Sequence, residues 1–230
     1  MKKLGLIMVA TLTFSCNSTQ KVADASAPSS TGSTTKNAEA PTPPPPPAAI
    51  PVAHNKQFIK DYFNETYQNI LHATNGLTDE QLNFKPTPER WSVLECLEHI
   101  VITEPQLFEY EKAALEQPAT PEKRSELKYT DDDIMTMMVD RSHKAKASAE
   151  MTPSGKYKNL QSALDDLQKQ RKEILAYLEN YSMEDLRNRV LEAPFGSIDA
   201  YQFMLFIPGH ASRHTLQMQE VKADPNFPKK

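Results

Sequence analysis

The spacing of apolar residues along the chain is helical. Phe58, Ile59, Tyr62, Phe63, Thr66, Ile70 and Leu71 recur at intervals of three and four, which predicts an amphipathic helix stopped by Asn75-Gly76. Thr78 with Gln81 reads as a capping box opening a short helical turn, and Pro86 and Pro88 mark an extended link. A second capping box, Ser92 with Glu95, opens a long helix through Leu94, Leu97, His99, Ile100 and Ile102 to about Leu115. Trp91 is placed to pack on Cys96 as a hydrophobic staple, and Pro105 is the expected kink. The polar stretch Gln117–Asn159 holds one short helix, started by Thr130 with Asp133 and carrying Met135, Met137, Met138 and Val139. A third long helix follows, with Leu160, Leu164, Leu167, Ile174, Leu175 and Leu178 on one stripe. The last starts near Ser197–Asp199, carries Tyr201, Phe203, Met204, Phe206 and Ile207, is interrupted at Pro208-Gly209, and resumes from His210 to about Lys222. No strand-type alternation competes. The expected fold is all-α: four long helices burying their apolar faces on one another in a four-helix bundle, with an additional short helix in a long loop.

Before this domain the pattern changes. Lys2 and Lys3 precede an apolar run from Leu4 to about Phe14, shorter than the roughly 20 residues a membrane-spanning helix needs. A basic start and a short apolar core read as an export signal over residues 1–16. The segment resembles a bacterial lipoprotein signal, in which Cys16 becomes the lipidated N-terminus. Residues 17–53 are rich in Ser, Thr, Ala and Pro, with eight of the 18 prolines between Pro28 and Pro51. They lack the apolar residues to offset ordering, and the run Pro43–Pro47 favours stiff polyproline II. The expectation is a tether spacing a helical domain, residues 54–230, from a membrane, on the periplasmic side of a bacterial envelope.

Net charge is −4, which excludes affinity for nucleic acid through its phosphates. Two cysteines, Cys16 and Cys96, exclude a disulfide scaffold, and six glycines leave no phosphate-cradling loop. Chemistry rests on the six histidines. His210 and His214 are four apart on a predicted helix and project from one face, where two imidazoles can share a metal ion. His99 lies in an apolar helix and has two readings, a satisfied core histidine or an inward third ligand. Cys96, three residues earlier, is a weaker candidate for a fourth ligand, and a buried free thiol explains it as well. Glu95 is explained by its capping box. Arg213 faces an acidic substrate or solvent, and Gln217 a ligand or the helix surface.

Several segments together resemble the DinB family: Leu77-Thr78-Asp79-Glu80-Gln81-Leu82-Asn83-Phe84-Lys85-Pro86, then Arg90-Trp91-Ser92-Val93 with Glu95 and His99. Asp140-Arg141-Ser142, Pro153 with Gly155-Lys156, and Asp199-Ala200-Tyr201-Gln202 follow in order. The last is Gly209-His210, Arg213-His214, Gln217 and Glu220-Val221-Lys222. The resemblance implies a four-helix bundle in an up-down-down-up arrangement and a divalent metal held by His99, His210 and His214. Zinc or nickel stands ahead of iron or manganese as the metal. Arg141 and Gln217 become candidates for substrate contacts. Relatives of this kind include transferases of small thiols and proteins with no assigned reaction.

Two functions are therefore expected. One is a metal-dependent enzyme activating water or a thiol on a small-molecule substrate, as a hydrolase or S-transferase, with the Gln117–Asn159 segment covering the site. The other is a non-catalytic metal- or ligand-binding lipoprotein. No second catalytic acid or base is evident in the sequence, and a homodimer is left open.

Overall fold

The computed structural model describes residues 54–142 and 147–229. Cys16, the Pro-rich tether and His143 lie outside the described residues.

Seven helices and one hairpin are present among the described residues: α1 Lys56–Thr74, α2 Asp79–Asn83, α3 Val93–Leu115, α4 Asp131–Val139, α5 Leu160–Leu178, α6 Met183–Arg187, β1 Val190–Ala193, β2 Gly196–Asp199 and α7 Ala200–Lys222. Each helix begins on a side chain that accepts a backbone N–H. Asn55 and Asn159 cap α1 and α5, and reciprocal capping boxes open α2 (Thr78/Gln81), α3 (Ser92/Glu95), α4 (Thr130/Asp133), α6 (Ser182/Asp185) and α7 (Asp199/Gln202). These satisfy donors that the first helical turn leaves without partners, and each such cap contributes about 0.5–2 kcal/mol.

The four long helices form the expected bundle. α7 packs against α3 and α1, and α5 against α3 and α1, so the order around the bundle is α1, α7, α3, α5. On α1 the buried stripe is Ile59, Phe63, Thr66, Ile70 and Ala73, spaced as the sequence pattern requires. α7 is buried on nearly every side, including Tyr201, Phe203, Met204, Leu205, Ile207, Ala211, Met218 and Val221. α4 lies across it. At the crossing, a Cβ on Gly209 would sit 3.0 Å from Met138 Cβ and 3.4 Å from the Tyr62 hydroxyl, so glycine allows the close approach.

Two expectations are corrected. α7 is not interrupted at Pro208-Gly209: it runs continuously from Ala200 to Lys222 with Pro208 inside it. A proline inside a helix forgoes one hydrogen bond and costs about 3 kcal/mol, which packing on several sides can offset. The chain also contains strands. β1 and β2 pair antiparallel, Leu191 opposite Ile198 and Glu192 opposite Ser197, around the turn Pro194-Phe195. Leu191 and Ile198 face the core, and strands of four residues carry too little alternation to be read from sequence.

One buried ion pair ties three helices together. Arg171 of α5 meets Glu104 of α3 through two hydrogen bonds, at 2.5 and 2.9 Å. Its remaining donors reach the Phe63 carbonyl at 2.8 Å and the Thr66 hydroxyl at 3.0 Å on α1.

Candidate metal centre

His99 sits seven residues into the register set by the Ser92 cap, on the face of α3 turned to α7. His210 and His214 lie one turn apart on α7. The three side chains converge, with ligand-capable atoms all within 4.8 Å of one another. His210 Nε2 is 3.2 Å from His99 Nε2 and 3.2 Å from His214 Nε2. Tetrahedral metal–nitrogen bonds of about 2.0–2.1 Å separate adjacent ligand atoms by about 3.3 Å, so this spacing accommodates one ion.

The outer ring nitrogens decide what the inner ones present. His99 Nδ1 is 2.6 Å from the Met151 carbonyl, an acceptor only, so Nδ1 carries the proton. The Thr103 hydroxyl lies further off, at 3.3 Å. His214 Nδ1 is 3.0 Å from Gln217 Oε1, an oxygen that also accepts from Arg141 at 3.5 Å. Neutral His99 and His214 therefore both turn bare Nε2 lone pairs toward His210. His210 Nδ1 is buried with no partner at all.

Electrostatics keeps the rings neutral. Burial pulls His99 below the usual histidine range, partly opposed by its bond to Met151. Burial pulls His210 and His214 down much further, with neighbouring histidines adding to the effect. Neutral imidazole is the form that binds metal. Among the described residues no cysteine or carboxylate belongs to the group. Cys96 is fully buried, and burial raises its thiol, so it stays a neutral core residue.

A family model for the DinB superfamily matches residues 62–218, which spans α1 to α7 and all three histidines. The chain belongs to the DinB superfamily. It is similar to the uncharacterized protein YuaE of Bacillus subtilis, 29% identical over 161 residues, covering 70% of this chain and 94% of the relative. A solved structure, YfiT from Bacillus subtilis, is described as a probable metal-dependent hydrolase with an unusual four-helix bundle topology. It superposes with a TM-score of 0.52 at 14% identity, over 80% of this chain and 94% of that one, a likeness of fold.

In this DinB chain the other singled-out residues fall around the three rings. Gln217 touches His214 directly. Arg141 is bound to Glu220 at 2.6 and 3.0 Å and reaches Gln217 from outside. Both therefore stand behind His214, on the side away from the convergence point. Arg213 donates to the Asp140 carbonyl, and its guanidinium is held below its ordinary range by burial and by Arg141 beside it. Glu95 completes its capping box and pairs with Lys85 at 2.9 Å. His54 binds Asp131 at 2.8 Å, and His72 is exposed; neither joins the group.

Trp91 does more than staple the start of α3. Its ring centroid is 4.7 Å from that of His99 and 5.8 Å from that of His214, so it walls one side of the centre. The sequence signal was the tryptophan directly beside the Ser92 cap. The Met151 carbonyl left no signal, because any residue carries one.

Proposed function

We propose that His99, His210 and His214 hold one divalent metal ion, zinc or nickel, and that the centre hydrolyses a small-molecule substrate. The observation that carries this reading is the meeting of Nε2 atoms. Two fixed tautomers aim lone pairs at a third imidazole, and that imidazole has no partner for its own Nδ1. No partner fixes the His210 tautomer, so its proton can sit on Nδ1 and leave Nε2 to supply the third lone pair. A cation accepts all three lone pairs at once. Three neutral nitrogens from the protein leave further coordination positions open, as catalytic rather than structural sites do.

A divalent ion bound here supplies Lewis-acid activation of water or of a substrate atom. The chain's own residues do the rest. Met151 and Gln217 fix the tautomers of His99 and His214, and Trp91 keeps water from one side of the rings. The description of YfiT as a probable metal-dependent hydrolase supports the reaction class. Transfer of a thiol is the competing reaction at the same centre. A non-catalytic metal binder is favoured by one observation: among the described residues no carboxylate stands in the group to act as a base.

Metal analysis of the purified protein, followed by turnover assays with esters, amides and electrophile–thiol pairs, separates these. One equivalent of metal with ester or amide turnover is the expected result. Metal with thiol transfer alone would replace hydrolysis. Metal without any turnover would leave the binder, and no metal would overturn the proposal. Trp91 is the sole tryptophan, so nickel or cobalt titration should quench its fluorescence with a one-to-one end point.

We also propose that Cys16 carries the lipid that anchors the chain to a membrane. Cys16→Ala should move the protein out of the membrane fraction or block its processing. Unchanged fractionation and processing would refute it.

A further inference from the structure

Glu98 is next to His99 on α3 and only 1% exposed, yet it touches none of the three rings by hydrogen bond. Its Oε1 accepts from the Ser154 backbone N–H at 2.7 Å, the Lys156 backbone N–H at 3.1 Å and the Ser154 hydroxyl at 3.2 Å. Gly155 between them adopts φ +76°, a left-handed conformation that side chains rarely tolerate, and this turns both backbone donors toward the same oxygen. Three residues before Ser154 is Met151, whose carbonyl is 2.6 Å from His99 Nδ1. The short 3-10 turn Ala149–Met151 leads to it, closed by Thr152 N to the Ala149 carbonyl at 3.2 Å and the Thr152 hydroxyl to the Ser148 carbonyl at 2.8 Å. One turn of α3 thus bears both the ligand and the anchor of the segment that orients it.

We propose that Glu98 is a positioning residue of the metal centre. It pins the Ser154–Lys156 turn, the turn pins the Met151 carbonyl, and that carbonyl fixes His99 in the tautomer that offers Nε2 to the ion. A carboxyl this buried would be costly without partners, and three donors on one oxygen offset that cost. A surface loop needs no such anchor unless the position of something it carries matters. The inference rests on the three-histidine reading, and outer partners of ligating histidines commonly govern affinity by 10- to 100-fold.

The test is a double-mutant cycle on the full chain, with zinc and cobalt affinities measured by competition. Glu98→Ala should weaken binding about 10- to 100-fold and shift the visible spectrum of the cobalt-loaded protein. Thr103→Val, removing the more distant hydroxyl, should cost less than about threefold. In a His99→Ala background, Glu98→Ala should change the residual nickel affinity less than about twofold, because its effect passes through that ring. A role in stability alone predicts a lower melting temperature in chelator with unchanged affinity and spectrum, or an equal loss in both backgrounds. Either result overturns the proposal. If Glu98→Ala does not fold, Glu98→Gln and Gly155→Ala in the same cycle decide it, each expected to show a smaller loss that vanishes without His99. Wild-type protein that binds no metal would overturn the three-histidine reading itself; wild-type binding with an indifferent Glu98 would overturn only this one.

Discussion

Two buried polar clusters lie within two turns of each other on α3, and they are opposites. Around Glu104, each carboxylate oxygen and each guanidinium nitrogen has a partner: Arg171 gives two hydrogen bonds to the carboxylate and two to α1. Around His99, the inner nitrogens face one another and His210 Nδ1 has nothing. A cluster complete in itself holds helices in place. On the reading proposed above, the other cluster is completed at its three Nε2 atoms by a cation. Glu111 shows the contrast is not merely one of satisfied and unsatisfied groups. Its carboxyl is fully buried without a partner, and burial, helped by Asp199, pushes it well above the usual carboxylate range. It can become neutral by taking a proton, whereas the three neutral imidazoles have at most the one His210 proton to place among three facing Nε2 atoms.

The contrast is most severely tested at Arg171. Arg171→Met leaves Glu104 buried and alone, and should cost about 3–5 kcal/mol in denaturant unfolding, equally with and without metal. Next come the ligands. Alanine at His99, His210 or His214 should lower metal affinity at least about 100-fold, roughly 2.7 kcal/mol, by competition measurements. Unlike the wild type, the same variants should gain no stability when metal replaces chelator, which would separate them from Arg171→Met. Alanine at His54 or His72 should leave metal content unchanged.

A smaller effect appears with pH. Burial lowers all three rings in the folded chain, while unfolded histidine takes up protons below about pH 6.5. Stability of the chelated protein is therefore complete above that pH and is lost as pH falls toward the lowered folded values. Denaturant midpoints in chelator should be lower at pH 5.5 than at pH 7.5, and His210→Ala should narrow the gap; an unchanged gap would contradict the burial argument. The smallest effect belongs to the cap of α3. Ser92→Ala should cost about 0.5–2 kcal/mol and leave metal affinity within about twofold, since it removes a helix start and touches no ligand.

How far the sequence could be read depended on how local each feature is. The long helices were legible because their apolar spacing and caps are written in consecutive residues, as in Ser92 with Glu95 and Ile59, Phe63, Ile70 on α1. The hairpin was not, since Leu191 and Ile198 acquire their common face only by pairing across a turn. The short helix α6 carried a legible capping pair in Ser182 and Asp185, but too few apolar residues to show a period. At the site, the three histidines could be named from the resemblance, while spacing alone left His99 ambiguous. Arg141 and Gln217 were singled out, but the structure puts them behind His214 and not over the convergence point. Trp91 was read only as a staple, because its second neighbour, His214, is over 120 residues away in the chain. A backbone carbonyl such as that of Met151 has no letter of its own.

Every helix in the bundle starts at a side-chain cap, and this bears on where the gene can lengthen. A cap fixes the origin from which a helix is counted, and each residue added beyond it rotates the remainder of that helix by about 100°. One residue inserted between Ser92 and His99 would carry His99 off the face it shares with α7 while leaving a well-formed helix. One inserted between Asp199 and His210 would do the same to both histidines of α7. The same insertion ahead of Ser92, in the link holding Pro86 and Pro88, changes no angle after it. Length variation among functional relatives should therefore collect before the caps and be absent between each cap and its ligand.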